Sequence, residues 1–197
     1  MAHSHCPRSA RFTTTDVDSP GPSPLQPQAP TEILPRLYIG DLAAAESPEV
    51  LSSLGITHVL SAMSGHVALP SASSLPHLAP HQPLQRMQLQ LQDTPFAELA
   101  AYLPHTTAFI AAALCDPAAR VLVHCVQGVS RSVSVVAAYL IAQYGCGPEQ
   151  AVQWVQGKRR CAQPNPGFVS QLGEYTQSLR KSHQHPHPNH THGSPAR

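Results

Sequence analysis

One run of this chain leaves little freedom in how it folds: Val121-Leu122-Val123-His124-Cys125-Val126-Gln127-Gly128-Val129-Ser130-Arg131-Ser132-Val133-Ser134-Val135-Val136-Ala137. It reads as a buried strand, a short loop and a helix. The loop opens on Cys125 and closes on Arg131 six residues later. A strand that feeds a tight loop at a helix N-terminus is an anion-binding device, because backbone N–H groups converge there and the helix dipole favours negative charge. A thiol at that place is stabilised as its thiolate. An arginine at the far end offers a planar fork that matches two phosphate oxygens. Together they set a nucleophile against a bound phosphate, the apparatus for cleaving a phosphate ester through a phosphocysteine intermediate.

The pattern His-Cys-x-x-Gly-x-x-Arg-Ser, here His124 to Ser132, resembles the protein tyrosine phosphatase superfamily. Its form Gly-Val-Ser-Arg-Ser is similar to the dual-specificity branch, and the likeness runs from about Ile33 to Leu179. The resemblance implies that Cys125 is the nucleophile and that Arg131 binds phosphate and the transition state. It implies that the Ser132 hydroxyl assists the thiolate and its release, and that His124 orients the loop. Val126, Gln127, Gly128, Val129, Ser130 and Arg131 then form the substrate-binding loop.

The chain has 197 residues, enough for one ordinary domain. Charged residues are 12% and net charge is +1, which gives no electrostatic case for nucleic acid or an anionic membrane. No apolar run approaches the ~18 residues of a membrane span, and Met1 to Cys6 lack the apolar stretch of a secretory signal. The five cysteines are odd in number and form no Cys-x-x-Cys pair. That pattern suits a reducing cytosol rather than a disulfide scaffold or a zinc ribbon. A cytoplasmic monomer, with the nucleus also open to it, is expected, without cofactor or metal.

Residues 1–30 are rich in Ser, Thr, Pro and Gln and read as a disordered tail; residues 181–197, rich in His and Pro, read as a second. Residues 31–180 between them read as the catalytic domain. Leu37-Tyr38-Ile39 suggests a strand, Ser47-Pro48-Glu49 a helix start stopped by Gly55, and Ile56 to Leu60 a strand. Residues 64–83 lack periodicity and read as a mobile surface insertion. Met87, Leu89 and Leu91 alternate with polar residues as in a half-buried strand. Leu99, Tyr102, Leu103, Ile110 and Ala113 follow a helical spacing, with Pro104 interrupting the helix or in its first turn. Further helices are expected from Gly147-Pro148-Glu149 and through Phe168, Leu172, Tyr175 and Leu179. Strands alternating with helices imply an α/β domain, a mainly parallel central sheet covered by helices; the resemblance makes it cysteine phosphatase-like.

A departing ester oxygen needs a proton, so a carboxyl group should stand beside it. Of Asp41, Asp93, Glu98 and Asp116, Asp93 is best placed. It follows its strand as Cys125 follows its own, and parallel strands would bring both to one carboxyl edge. The resemblance also points to Asp93, since the family's acid lies about thirty residues before the cysteine. Asp116, before the nucleophile's strand, reads as turn chemistry. Asn165, in Asn165-Pro166-Gly167-Phe168, resembles the family's residue that supports the phosphate loop. Arg159 and Arg160 either flank the site or end a helix in solvent.

No residue between Cys125 and Arg131 is charged. Relatives acting on inositides with many phosphates carry lysines there, so the expected substrate is a phosphorylated protein or a singly phosphorylated small molecule. Two other readings stay open: a sulfur or arsenate enzyme with the same Cys-x5-Arg pattern, and a non-catalytic phosphopeptide-binding module on the same fold.

Overall fold

The structure, a computed structural model, describes residues 29–79 and 82–184. Most of both expected tails, with the histidines beyond Gln184, lies outside the described residues.

The strands are β1 (Thr31–Leu34), β2 (Leu37–Gly40), β3 (His58–Ala62), β4 (Gln85–Leu89) and β5 (Val121–His124). They form one sheet in the order β1-β2-β5-β3-β4. β2, β5, β3 and β4 are parallel, and β1 is an antiparallel edge. The helices are α1 (Leu42–Glu46), α2 (Pro48–Leu54), α3 (Leu103–Cys115), α4 (Arg131–Tyr144), α5 (Pro148–Lys158) and α6 (Pro166–Gln184). The expected α/β architecture is the one observed. No helix among the described residues is long and apolar enough to cross a membrane.

The register sets where the chemistry lies. His124 pairs with Gly40 on one side and Ser61 on the other, and Ala62 pairs with Leu89. The four parallel strands therefore end nearly level, and the segments leaving them share one edge. β5 is central, with every residue buried, as a strand covered on both faces must be. Val121 and Val123 turn to the larger core, beside Ile110, Val136 and Phe168. Leu122 turns to the smaller one, with Tyr38, Leu51, Ile56 and Val59.

That smaller core corrects the reading of residues 64–83. Leu75 is 1% exposed and Leu78 8%, and both pack in this cluster with Leu84. The segment lies across the sheet's second face, packing Leu75 and Leu78 into this cluster while most of its described residues are exposed. A short 3-10 turn, Ala72–Ser74, delivers Leu75. One helical turn and scattered leucines have no period that a sequence scan detects.

Other boundaries shift for local reasons. Ser47 caps α2, its hydroxyl accepting from Val50 N at 3.2 Å. Gly55 closes α2 at φ 63°, and Ile56 N still bonds Leu51 O. The next strand is therefore His58–Ala62 rather than Ile56–Leu60. Leu91 is buried beyond the end of β4. Leu99 lies in a turn before α3, with Pro104 in the helix's first turn. The last helix runs to Gln184, into the region read as a tail. β1 and α1 were not expected; each is only four or five residues long.

Candidate active site

The loop from Cys125 to Arg131 is held from outside by its carbonyls. Val126 O accepts from Leu42 N at 3.2 Å, Val129 O from Gln163 N at 2.8 Å, and Ser130 O from Ser134 N at 2.9 Å. Gly128 O accepts from Arg159 Nε at 2.8 Å. Carbonyls drawn outward turn the peptide N–H groups toward the loop's centre, since the two point oppositely across a planar peptide. Gly128 has φ 67°, and a Cβ there would stand 2.6 Å from Gly40 O. Only glycine suits that position.

Cys125 lies at the base of this loop and is 1% exposed. Its Sγ faces Ser132 Oγ at 3.3 Å and receives Gly128 N–H at 3.2 Å. Burial pushes its pKa up and is the largest single influence. The Ser132 hydroxyl and amide, the Arg131 charge and the Gly128 amide together outweigh it, so the thiol is more acidic than an ordinary cysteine.

His124 is fully buried directly before Cys125. Its Nε2 lies 2.7 Å from Ser61 Oγ and its Nδ1 3.4 Å from Cys125 O. A carbonyl only accepts, so Nδ1 carries the proton and Nε2 accepts from Ser61. Burial lowers the pKa of His124 to about 4, against smaller opposing effects from the Cys125 carbonyl and from Glu46 and Asp41. The ring is neutral at pH 7 and orients the turn into the loop without adding charge.

Arg131 donates from Nη1 to Leu91 O at 3.3 Å, and its Nε faces Asp93 Oδ2 at 3.4 Å. Asp93 leaves the same sheet edge as Cys125, four residues past β4. Its Oδ1 accepts from Ser130 Oγ at 2.7 Å and from Asn165 Nδ2 at 2.8 Å. Asn165 does three tasks. Its Oδ1 caps α6 through Phe168 N at 3.0 Å, its N–H reaches Ser130 Oγ at 3.1 Å, and its amide holds Asp93. It holds Asp93 directly, and the 125–131 loop through Ser130.

The structure thus gathers Cys125, Gly128, Ser130, Arg131, Ser132, Asp93 and Asn165, with His124 beneath. Val126 and Gln127 are exposed on the rim, and Val129 is half-buried. Asp41 lies at this edge but caps α1, accepting from Ala44 N at 2.8 Å. Asp116 accepts from Ala118 N in the turn before β5. Two residues were under-read. Of the two readings of Arg159, the one that flanks the site holds: it is 3% exposed and bonded to the loop. Gly167 lies so close to the Pro95 carbonyl that a Cβ would collide with it. Among the described residues no three His, Cys, Asp or Glu side chains gather as metal ligands would.

Residues 37–178 match the family described as dual specificity phosphatase, catalytic domain. Dual specificity protein phosphatase 13B of Homo sapiens is 37% identical over 141 residues, 72% of this chain and 69% of that protein. Dual specificity protein phosphatase 1B of Arabidopsis thaliana is 35% identical over 150 residues, 76% and 83% of the two chains. Among solved structures, a mouse putative dual specificity phosphatase complexed with zinc tungstate is similar with a TM-score of 0.69 and 33% identity, covering 84% of this chain and 97% of that one.

Proposed function

The chain belongs to the dual specificity phosphatase family, and on that premise we propose that it hydrolyses phosphotyrosine and phosphoserine or phosphothreonine in proteins through a phosphocysteine intermediate. Protein phosphatase activity follows from the family; the intermediate and the residue roles are inferred from the site. Arg131 and the loop amides hold the phosphoryl group. The Cys125 thiolate attacks phosphorus, the bond to the substrate oxygen breaks, and Asp93 gives its proton to that oxygen. Water then cleaves the S–P bond, with Asp93 taking the water's proton. Phosphate leaves, and Ser132 steadies the thiolate that re-forms.

The observation that carries this reading is the union of three groups: an acidified Cys125, a loop whose amides turn inward, and an Asp93 carboxylate held over that loop by Ser130 and Asn165. The uncharged stretch from Val126 to Ser130 supports a substrate with a single phosphate at the site, since a polyanion would need further cations there.

Purified protein should turn over a generic aryl phosphate, and Cys125→Ser should abolish turnover while still binding a phosphopeptide. If the wild-type chain binds phosphopeptide but releases no phosphate, the protein is a binding module and the catalytic reading fails.

A further inference from the structure

We propose that Arg159 is a positioning residue for phosphate binding, whose guanidinium polarises the Gly128–Val129 peptide and so strengthens the Val129 N–H as a donor to the bound phosphoryl group. This rests on the reading of the loop as a phosphoryl site.

Arg159 follows α5 directly and is 3% exposed. Its bonds end on neutral acceptors: Nε on Gly128 O at 2.8 Å, Nη1 on Thr31 Oγ1 at 3.0 Å and on Ala29 O at 3.3 Å. Its Nη2 is buried with no hydrogen-bond partner among the described residues. A buried cation that meets only neutral groups is costly and is commonly kept where an anion arrives. Among the described residues, the ion pair at this site joins Arg131 to Asp93 and leaves Arg159 out.

The anion that Arg159 serves lies on the other side of one peptide group. The carbonyl of Gly128 points out to the guanidinium, and the N–H of the same planar unit, that of Val129, points oppositely into the loop. A charged donor makes a stronger bond than a neutral one. In a low-dielectric interior linked hydrogen bonds polarise each other. Arg159 thus transmits part of its charge to the phosphate without touching it. The bare Cα of Gly128 makes room for this approach, because a Cβ there would stand 2.7 Å from Arg159 Nη2. This assigns a second cation to a loop that has no charged residue of its own before Arg131.

Arg159→Gln keeps an N–H donor and removes the charge. In the full chain its tungstate affinity, measured by calorimetry, should fall roughly tenfold, which is about 1.4 kcal/mol. Inactivation of Cys125 by iodoacetate should require a higher pH. Arg159→Lys, which keeps the cation, should bind tungstate more tightly than Arg159→Gln. A folded Arg159→Gln protein with wild-type affinity and an unchanged inactivation profile overturns the proposal, as does a lysine variant as weak as the glutamine one. If the variants do not fold, the wild-type chain decides by NMR. Tungstate should then move the Arg159 Nε–H and Val129 N–H resonances together, and an unmoved Arg159 Nε–H rejects the relay. A wild-type chain that takes up no tungstate fails earlier, at the phosphatase reading itself.

Discussion

Ser130 Oγ donates to Asp93 Oδ1 at 2.7 Å, joining the phosphate loop to an acid 37 residues earlier in the chain. Asn165 Nδ2 donates to the same oxygen at 2.8 Å. With Oδ1 engaged twice as an acceptor, Oδ2 is the oxygen left to carry the proton. It is also the one beside Arg131 Nε, at 3.4 Å. If Arg131 grips the phosphoryl group as proposed, a proton on Oδ2 would lie on the side where a leaving oxygen departs.

Loss of the acid should therefore depend on the ester. Asp93→Asn should slow alkyl and phenyl phosphates by roughly 10²–10⁴-fold, the usual worth of general acid catalysis. Esters of acidic phenols, which leave unaided, should lose far less. Ser130→Ala and Asn165→Ala should show the same selectivity at smaller amplitude, because each removes one of two bonds to Oδ1. Steady-state rates on an ester series test this, and an equal loss across the series would mean that Asp93 is structural.

The buried His124 predicts an acid limb in stability. Its pKa is about 4 in the folded protein against 6.5 for a free ring. Above pH 6.5 both states are neutral and the residue contributes no pH dependence. Below that value the unfolded chain binds a proton that the folded chain refuses. Stability is therefore lost as pH falls from 6.5 toward 4, with a slope approaching about 1.4 kcal/mol per pH unit. Urea midpoints measured across this range should fall less steeply in His124→Gln than in the wild type. Parallel curves would show that His124 already titrates in the folded state.

Sequence reading placed residues correctly where the pattern is contiguous or follows strand order. The Val121 to Ala137 run specifies its own strand, loop and helix. Asp93 was found because two parallel strands must end at one edge. It failed where contacts join distant, unpatterned segments. Arg159 is defined by Gly128 and Thr31, and nothing in Lys158-Arg159-Arg160 distinguishes the buried cation from its neighbours. Leu75 and Leu78 sit among serine, proline and histidine, and only the open face of the sheet beneath explains their burial.

That burial makes a stability prediction opposite to the one for a mobile insertion. Leu75→Ala should destabilise the protein by about 2–5 kcal/mol, the usual range for a leucine removed from a packed core. A truncation at an exposed loop site would cost within about 0.5 kcal/mol. Equilibrium unfolding in urea separates the two, and a shift within the smaller range would show that Leu75 carries no core packing.

Gly167 tests whether the acid loop's position, rather than its carboxylate alone, sets the rate. It is the second residue of α6, two after Asn165, and a Cβ on it would collide with the carbonyl of Pro95, two residues after Asp93. Any Cβ must push Pro95 away or shift the helix start, and either motion separates Asp93 from Asn165 Nδ2. The loop carbonyls are held instead by Leu42, Arg159 and Gln163. Gly167→Ala should therefore behave as a weaker Asp93→Asn: poor leaving groups slowed, good ones nearly spared, tungstate affinity kept. Asp93→Asn and Gly167→Ala should also be less than additive when combined, since both act on one proton transfer. Full additivity, or a loss of tungstate binding, would show that Gly167 acts on the phosphate loop instead of on the acid.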